Sequence, residues 1–231
     1  LGGPLYVNAE NDAARAKARA ADVLFSRAGA GDWRVTAPET SLEGTSFVLE
    51  RDNERIEAQS ALLGLHHIGA LAAGAHLARS LGLSIAQIEA GIAKTKPFAH
   101  RLERYDDASE AVFLDDTYNG NPDGVRAVID FLASIRDRTR WYVTPGLVEM
   151  GAKSEEIHRE IGHRLAAVGI EKVALIRNSV TPWIEQGLKE KNYRGEVLWF
   201  DEALRCYAAL PHLVAARDVV LLQNDWPDQY A

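Results

Sequence analysis

Residues 115–124 read Asp-Asp-Thr-Tyr-Asn-Gly-Asn-Pro-Asp-Gly. Ahead of Pro122, two carboxylates, a hydroxyl, a phenol and two side-chain amides share one short stretch. Such groups can accept hydrogen bonds from sugar hydroxyls, hold a metal-bound water, or orient a reacting amine and carbonyl. The apolar run Ala111–Leu114 before them reads as a short buried strand. After them, Val125, Val128, Ile129 and Leu132 recur at helical spacing. Asn121 is placed to cap that helix, and Pro122 falls at its first position, where a missing N–H costs nothing. The polar groups therefore lie between a strand end and a helix N-terminus. There, α/β sheets bind ligands and backbone N–H groups face an anion. Adjacent strand residues point to opposite faces, so Asp115 and Asp116 are not an acid/base dyad. Asp116 is expected at the site and Asp115 in structural hydrogen bonds.

Other residues compete for attention. Polar groups also end later apolar runs: Thr144-Pro145-Gly146, Arg177-Asn178-Ser179, Asp201, and Gln223-Asn224-Asp225. Each alternatively caps a helix. Gly146-Leu147-Val148-Glu149-Met150-Gly151-Ala152-Lys153-Ser154 nearly spells a phosphate-binding loop, but Ala152 separates the second glycine from the lysine that must follow it directly. Glu149 and His158 remain polar candidates for substrate, His158 alternatively being a surface histidine on a helix. His66 and His67 are adjacent at a helix start and cannot both face one metal; no cysteine completes a zinc set. Arg101 could grip a phosphate bidentately, or pair with Glu103 or Asp106 at the surface. No nucleophile elbow, Ser-His-Asp arrangement or Gly-x-Gly-x-x-Gly fingerprint is present.

The elements that position these groups change character along the chain. Strand candidates in the first part are Leu5–Asn8, Val23–Ser26, Trp33–Thr36, Thr45–Glu50 and Arg55–Ala58, with a helix expected from about Asp12 to Ala21. A helix carrying Ile68, Leu71, Ala72, Ala75 and Ala78 follows. Ser84 with Gln87 makes a capping box for the next one. Lys94-Thr95-Lys96-Pro97 marks a domain boundary. Beyond it, strands are expected at Arg101–Tyr105, Ala111–Leu114, Trp141–Thr144, Val173–Ile176, Val197–Phe200 and Val219–Leu222. Helices separate the last five, one from Ser154 to Val168, one starting at Thr181-Pro182 and one capped by Asp201. This alternation predicts a doubly wound, mostly parallel, Rossmann-like α/β sheet.

The 231 residues carry a net charge of −7, with 47% hydrophobic and 26% charged residues. That is ordinary for a soluble globular chain and argues against a general nucleic-acid binder. The single cysteine, Cys206, fits a reducing, cytoplasmic compartment. No apolar run reaches the roughly 18–20 residues needed for membrane insertion. The start Leu1-Gly2-Gly3-Pro4, with Met150 the only methionine, predicts that the chain begins inside a longer protein or after a removed tag.

Taken in order, Gly64-x-His66, His100-Arg101-Leu102-Glu103, Asp115-Asp116-Thr117-Tyr118-Asn119-Gly120-Asn121-Pro122, Thr144-Pro145-Gly146-Leu147-Val148-Glu149-Met150-Gly151 and Asn224-Asp225-Trp226-Pro227 resemble the Mur ligase family. They are most similar to the branch that adds D-alanyl-D-alanine. The resemblance implies that residues 1–98 are the tail of the family's α/β central ATPase domain and 99–231 its C-terminal Rossmann-like domain. The UDP-sugar-binding domain, the P-loop and most Mg2+ ligands are then expected upstream. The implied reaction is ATP-dependent amide formation between UDP-MurNAc-tripeptide and D-alanyl-D-alanine through an acyl phosphate, in peptidoglycan precursor synthesis. The implied cofactors are ATP and Mg2+, and a monomer is expected. By motif position Arg101 would contact ATP phosphate and Asp116 the ribose. Tyr118, Asn119 and Asn121 would face the reacting centre, and Glu149, His158, Asn224 and Asp225 the substrate side. His66 and His67 fall at the adenine position, where the family carries an Asn for His67 and another for Ala70. No metal ligand is implied within this chain. Alternatives are another ligase of the superfamily, of folylpolyglutamate synthase or amidotransferase-partner type, or a binding module that keeps the fold without the chemistry.

Overall fold

The computed structural model describes residues 3–106 and 109–223. The chain divides into two compact units, Leu1–Lys96 and Pro97–Ala231.

The first unit is a six-stranded sheet with helices. Its strands are β1 (Tyr6–Asn8), β2 (Val23–Ser26), β3 (Gly29–Ala30), β4 (Trp33–Ser41), β5 (Gly44–Arg51) and β6 (Glu54–Ser60), neighbours in that order. β1 and β2 run parallel and the rest antiparallel. Alternation in β5 and β6 turns Phe47, Leu49, Ile56 and Ala58 inward. They pack with Trp33 and with Ile68, Ala72 and Ala75 of α2 (Ile68–Ser80) and Ile88 and Ile92 of α3 (Ile85–Ile92). The Ser84–Gln87 capping box forms in full.

Two expectations here are corrected. The helix expected over Asp12–Ala21 is a single turn, α1 (Asp12–Arg15), with no buried residue. An Ala-rich segment without an apolar face to bury lacks the packing that sustains a short helix. β4 runs on to Ser41, past Pro38, because a register shift between Thr36 and Glu39 absorbs the proline. Ala37 takes φ +47° there.

In the second unit the alternation is explicit: β7 (Glu103–Asp106), β8 (Val112–Asp116), α4 (Pro122–Ser134), β9 (Arg140–Thr144), α5 (Ser154–Ala167), β10 (Lys172–Ile176), α6 (Thr181–Glu190), β11 (Glu196–Phe200), α7 (Ala203–Leu213) and β12 (Val219–Gln223). The sheet order is β11-β10-β9-β12-β8-β7, parallel except for the edge strand β7. Right-handed crossovers dictate the layers. The three steps β8 to β11 advance in one direction and place α4, α5 and α6 on one face. The return from β11 to β12 runs the other way and places α7 on the opposite face. There Cys206 and Leu210 meet Phe113, Trp141, Val143, Ala174, Ile176, Val220 and Leu222. The residues between these on the strands, Leu114, Tyr142, Val173, Leu175 and Leu221, are equally buried on the other face.

α4 is capped as its sequence dictates: Asn121 Oδ1 accepts from Gly124 N at 2.9 Å, with Pro122 at the first position. α7 is not capped by Asp201. Its N-cap is Glu202, whose side chain makes no capping bond, and Asp201 instead meets Arg177 Nε at 3.0 Å. Among the described residues no helix is long and apolar enough to cross a membrane.

Candidate functional site

β8 delivers the site. Val112, Phe113 and Leu114 are buried, and Asp115 and Asp116 emerge at its carboxyl end. In register, Asp115 lies beside Leu222 and Asp116 beside Gln223, so the two carboxylates look to opposite faces.

Asp115 is fully engaged. Its Oδ1 accepts from Thr117 N at 3.1 Å and Thr117 Oγ1 at 2.6 Å, and its Oδ2 meets His100 Nδ1 at 2.7 Å. That bond raises the His100 pKa above the ordinary histidine value. Asp116 Oδ1 accepts from Leu102 N at 3.1 Å. Burial pushes the Asp116 carboxyl up, while the Leu102 N–H, Arg101 and Gln223 pull it down.

The segment 100–102 is stapled onto this loop. His100 and Leu102 take φ of +61° and +50°, a left-handed conformation that costs a non-glycine residue about 1–2 kcal/mol. Three contacts offset it. Leu102 is buried, Tyr118 N donates to the His100 carbonyl at 3.1 Å, and Arg101 Nη1 donates to the Asn119 carbonyl at 2.6 Å. The Arg101 guanidinium then lies 4.5 Å above the Tyr118 ring centroid. Arg101, Asp116, Tyr118 and the Asn119 carbonyl therefore share one strand-end cluster, and Asn121, its Oδ1 bonded to Gly124 N, begins the helix just after it.

The loop after β9 is a second part of this rim. Thr144 Oγ1 accepts from Gly146 N at 2.9 Å, and Asn178 Nδ2 donates to the Pro145 carbonyl at 2.6 Å. Gly146 has φ +85°, and a Cβ there would stand 2.8 Å from His158 Nε2. His158 itself corrects the expectation of a substrate contact or a surface residue. It is fully buried, its Nε2 accepts from Leu147 N at 2.8 Å, and its Nδ1 donates to the Ser154 carbonyl at 2.6 Å. With both nitrogens occupied, it holds the loop. Glu149 is exposed on that loop at φ +61°. Asn224 and Asp225 lie outside the described residues.

His66 and His67 belong to the first unit, in a one-turn 3-10 helix before α2, with ring centroids 4.0 Å apart. Burial lowers the His66 pKa to about 4 and that of His67 in the same direction. His66 Nδ1 is buried without a hydrogen-bond partner among the described residues.

Two polar residues beside Asp116 carry no motif. Gln223 ends the apolar run of β12, and Tyr142 lies mid-strand in β9. Both are buried, and Tyr142 OH donates to Gln223 Oε1 at 2.8 Å. The only sequence signal is an amide closing an apolar strand.

An exposed guanidinium beside a half-buried carboxylate suits a phosphorylated polyol: the cation for the anion, the carboxylate for hydroxyls. ATP fits that donor set. Among the described residues no group of three or more His, Cys, Asp or Glu is placed to hold a metal.

The fold and rim define a doubly wound α/β ligand-binding domain of the kind that works at its strand carboxyl ends. The family described as Mur ligase, glutamate ligase domain, matches residues 100–223, and the chain belongs to the Mur ligase family. It is 32% identical over 142 residues to the UDP-N-acetylmuramoyl-tripeptide–D-alanyl-D-alanine ligase of Escherichia coli, covering 62% of this chain and 31% of that protein. The ligase of the same name from Mycobacterium bovis is 27% identical over 184 residues, covering 75% and 36%. Among solved structures, the MurF ligase of Thermotoga maritima in complex with ADP superposes with TM-score 0.76 at 19% identity, over 95% of this chain and 49% of that one. The UDP-N-acetylmuramate–alanine ligase MurC of the same organism gives 0.73 at 15%, over 97% and 48%. At such identities these structures speak to the fold. The chain spans about a third of the length of these curated relatives and about half of these solved chains.

Proposed function

We propose that this chain is the C-terminal portion of an ATP-dependent amide ligase that adds D-alanyl-D-alanine to UDP-MurNAc-tripeptide, a cytoplasmic step in building the bacterial cell wall. Residues 1–98 are read as the end of its central ATPase domain and 99–231 as its C-terminal domain. The observation that carries this is the strand-end cluster of Arg101, Asp116, Tyr118 and Asn119, with Asn121 just after it, in a chain whose curated relatives bear that ligase's name.

In this reading Arg101 grips an ATP phosphate and Asp116 accepts from ribose hydroxyls. Tyr118, Asn119 and Asn121 steer the incoming dipeptide amine. Bound ATP supplies the phosphoryl group that turns the tripeptide carboxylate into an acyl phosphate. Phosphoryl transfer is governed by positioning and charge neutralisation, which is what a fixed guanidinium on a rigid strand end offers. Asp115 takes no part in chemistry; its three bonds shape the loop.

The test is ATP-dependent joining of UDP-MurNAc-tripeptide to D-alanyl-D-alanine by the ligase that carries this chain. An Asp116→Ala form should lose at least about tenfold in kcat/KM. Unchanged turnover would remove Asp116 from the site, and absence of joining by the parent enzyme would end the reading.

A further inference from the structure

The least explained polar group in the second unit is the side-chain amide of Gln223. It is 1% exposed and its Oε1 is bonded to Tyr142; its Nε2 meets no acceptor in full hydrogen-bond geometry among the described residues, yet the amide stands close enough to Asp116 to pull that carboxyl's pKa down. A buried donor without a partner is costly and rare. Tyr142 OH fixes which end of the amide points where. The phenol donates to Gln223 Oε1 at 2.8 Å, so the carbonyl end of the amide faces it. The N–H groups are then turned away from Tyr142. Gln223 is paired in register with Asp116 on the adjoining strand, and paired residues share a face.

We propose that Gln223 is a positioning residue for Asp116: anchored by Tyr142 through its carbonyl, it presents its amide N–H groups to the Asp116 carboxylate and fixes that side chain's orientation. Leu102 N holds Oδ1 from one side, and the amide restrains the carboxylate from the other. A carboxylate so held meets a ligand hydroxyl without first having to order itself, which lowers the cost of binding. Arg101 and Asp115 are the charged groups that bear on Asp116, and neither supplies this restraint. The consequence for nucleotide binding rests on the proposed reading of Asp116; the restraint itself does not.

The experiment uses Gln223→Met, which keeps the length and removes the amide, together with Tyr142→Phe and the double variant. The carboxyl carbon of Asp116 is titrated by NMR in the 231-residue chain. Losing donors to the ionised form should move the Asp116 midpoint up by about one pH unit in Gln223→Met. Tyr142→Phe should move it less, and the double variant no further than Gln223→Met. An unmoved midpoint in Gln223→Met, with only a lower Tm, overturns the proposal and leaves Gln223 a packing residue. If Gln223→Met does not fold, Tyr142→Phe decides by the same criterion. In the ligase, the same variants should raise KM for ATP about tenfold while kcat stays within about twofold. A matching fall in kcat with KM unchanged would overturn it. If the parent enzyme joins no substrates, the functional reading fails while the titration still decides the role of Gln223.

Discussion

Arg101 and Tyr118 form a stacked pair: the guanidinium lies 4.5 Å from the ring centroid while its Nη1 donates to the carbonyl of the next residue, Asn119. One side chain thus carries a charge to the rim and ties down the loop beside it. Lysine keeps the charge but has neither the planar face nor the fork. Arg101→Lys should cut kcat/KM for ATP by about 10–100-fold in the ligase, and speed amide hydrogen exchange at residues 118–120 in this chain. Wild-type exchange rates in the variant would show that the stacking does not order the loop.

Helices α5 and α6 touch through two glycines. A Cβ on Gly162 would stand 2.2 Å from the Ile184 carbonyl oxygen, and one on Gly187 2.2 Å from that of Arg159. Backbone cannot step aside as a side chain can. Gly162→Ala and Gly187→Ala should each destabilise by about 1–3 kcal/mol, and together by less than the sum, since the first forces the helices apart. Gly74→Ala is the control. It lies inside α2 with nothing within 4 Å of the added methyl and should stabilise by about 0.5–1 kcal/mol. Calorimetric Tm values check all three.

Acid should weaken the first unit through its half-buried histidines. The His66 pKa falls from 6.5 to about 4 on folding, chiefly by burial, and that of His67 falls too. Between those values the unfolded chain binds more protons than the folded one, so stability drops as pH falls from 6.5 toward 4. For His66 the loss is of order 2–3 kcal/mol. Urea unfolding at pH 7, 5.5 and 4 should show it, and His66→Gln should flatten the profile. A parallel profile in the variant would assign the acid loss to other groups.

His158 should behave as a structural group with one tautomer. Its partners require the proton on Nδ1, and burial holds its pKa below the ordinary value. Nitrogen NMR should show a neutral ring protonated at Nδ1 at neutral pH. His158→Ala orphans Leu147 N and should cost about 1–3 kcal/mol. His158→Gln, which still offers an acceptor, should recover part of it. Full stability in the alanine variant would contradict the clamp.

Whether a feature is legible in the sequence comes down to whether its partners are local. The Asn121 cap, Pro122 and the Ser84–Gln87 box act within three residues, so they can be read directly. The runs Val112–Leu114, Val173–Ile176 and Val219–Leu222 are apolar because parallel strands are covered on both faces, and they too were legible. His158 looks like a polar residue on an amphipathic helix; what buries it is a loop from another strand. Asp201 resembles a cap but is taken by Arg177, 24 residues earlier. The cluster of Asp116 with Tyr118, Asn119 and Asn121 could be seen as a dense stretch. Its tie to Leu102 and the neighbourhood of Tyr142 and Gln223 arise only when three separate strands assemble.

β12 also sets an order of events. It is the last described strand to be synthesised, yet it lies between β9 and β8. Those two strands leave the ribosome before it, and each lacks its β12 partner until residues 219–223 arrive. Strand edges without a partner invite wrong pairings, so the nascent domain is most vulnerable until then. Asp116 gains its neighbour Gln223 in the same step. Maturity of the sheet and completion of the rim are one event, and a chain stopped before Val219 would be deprived of both.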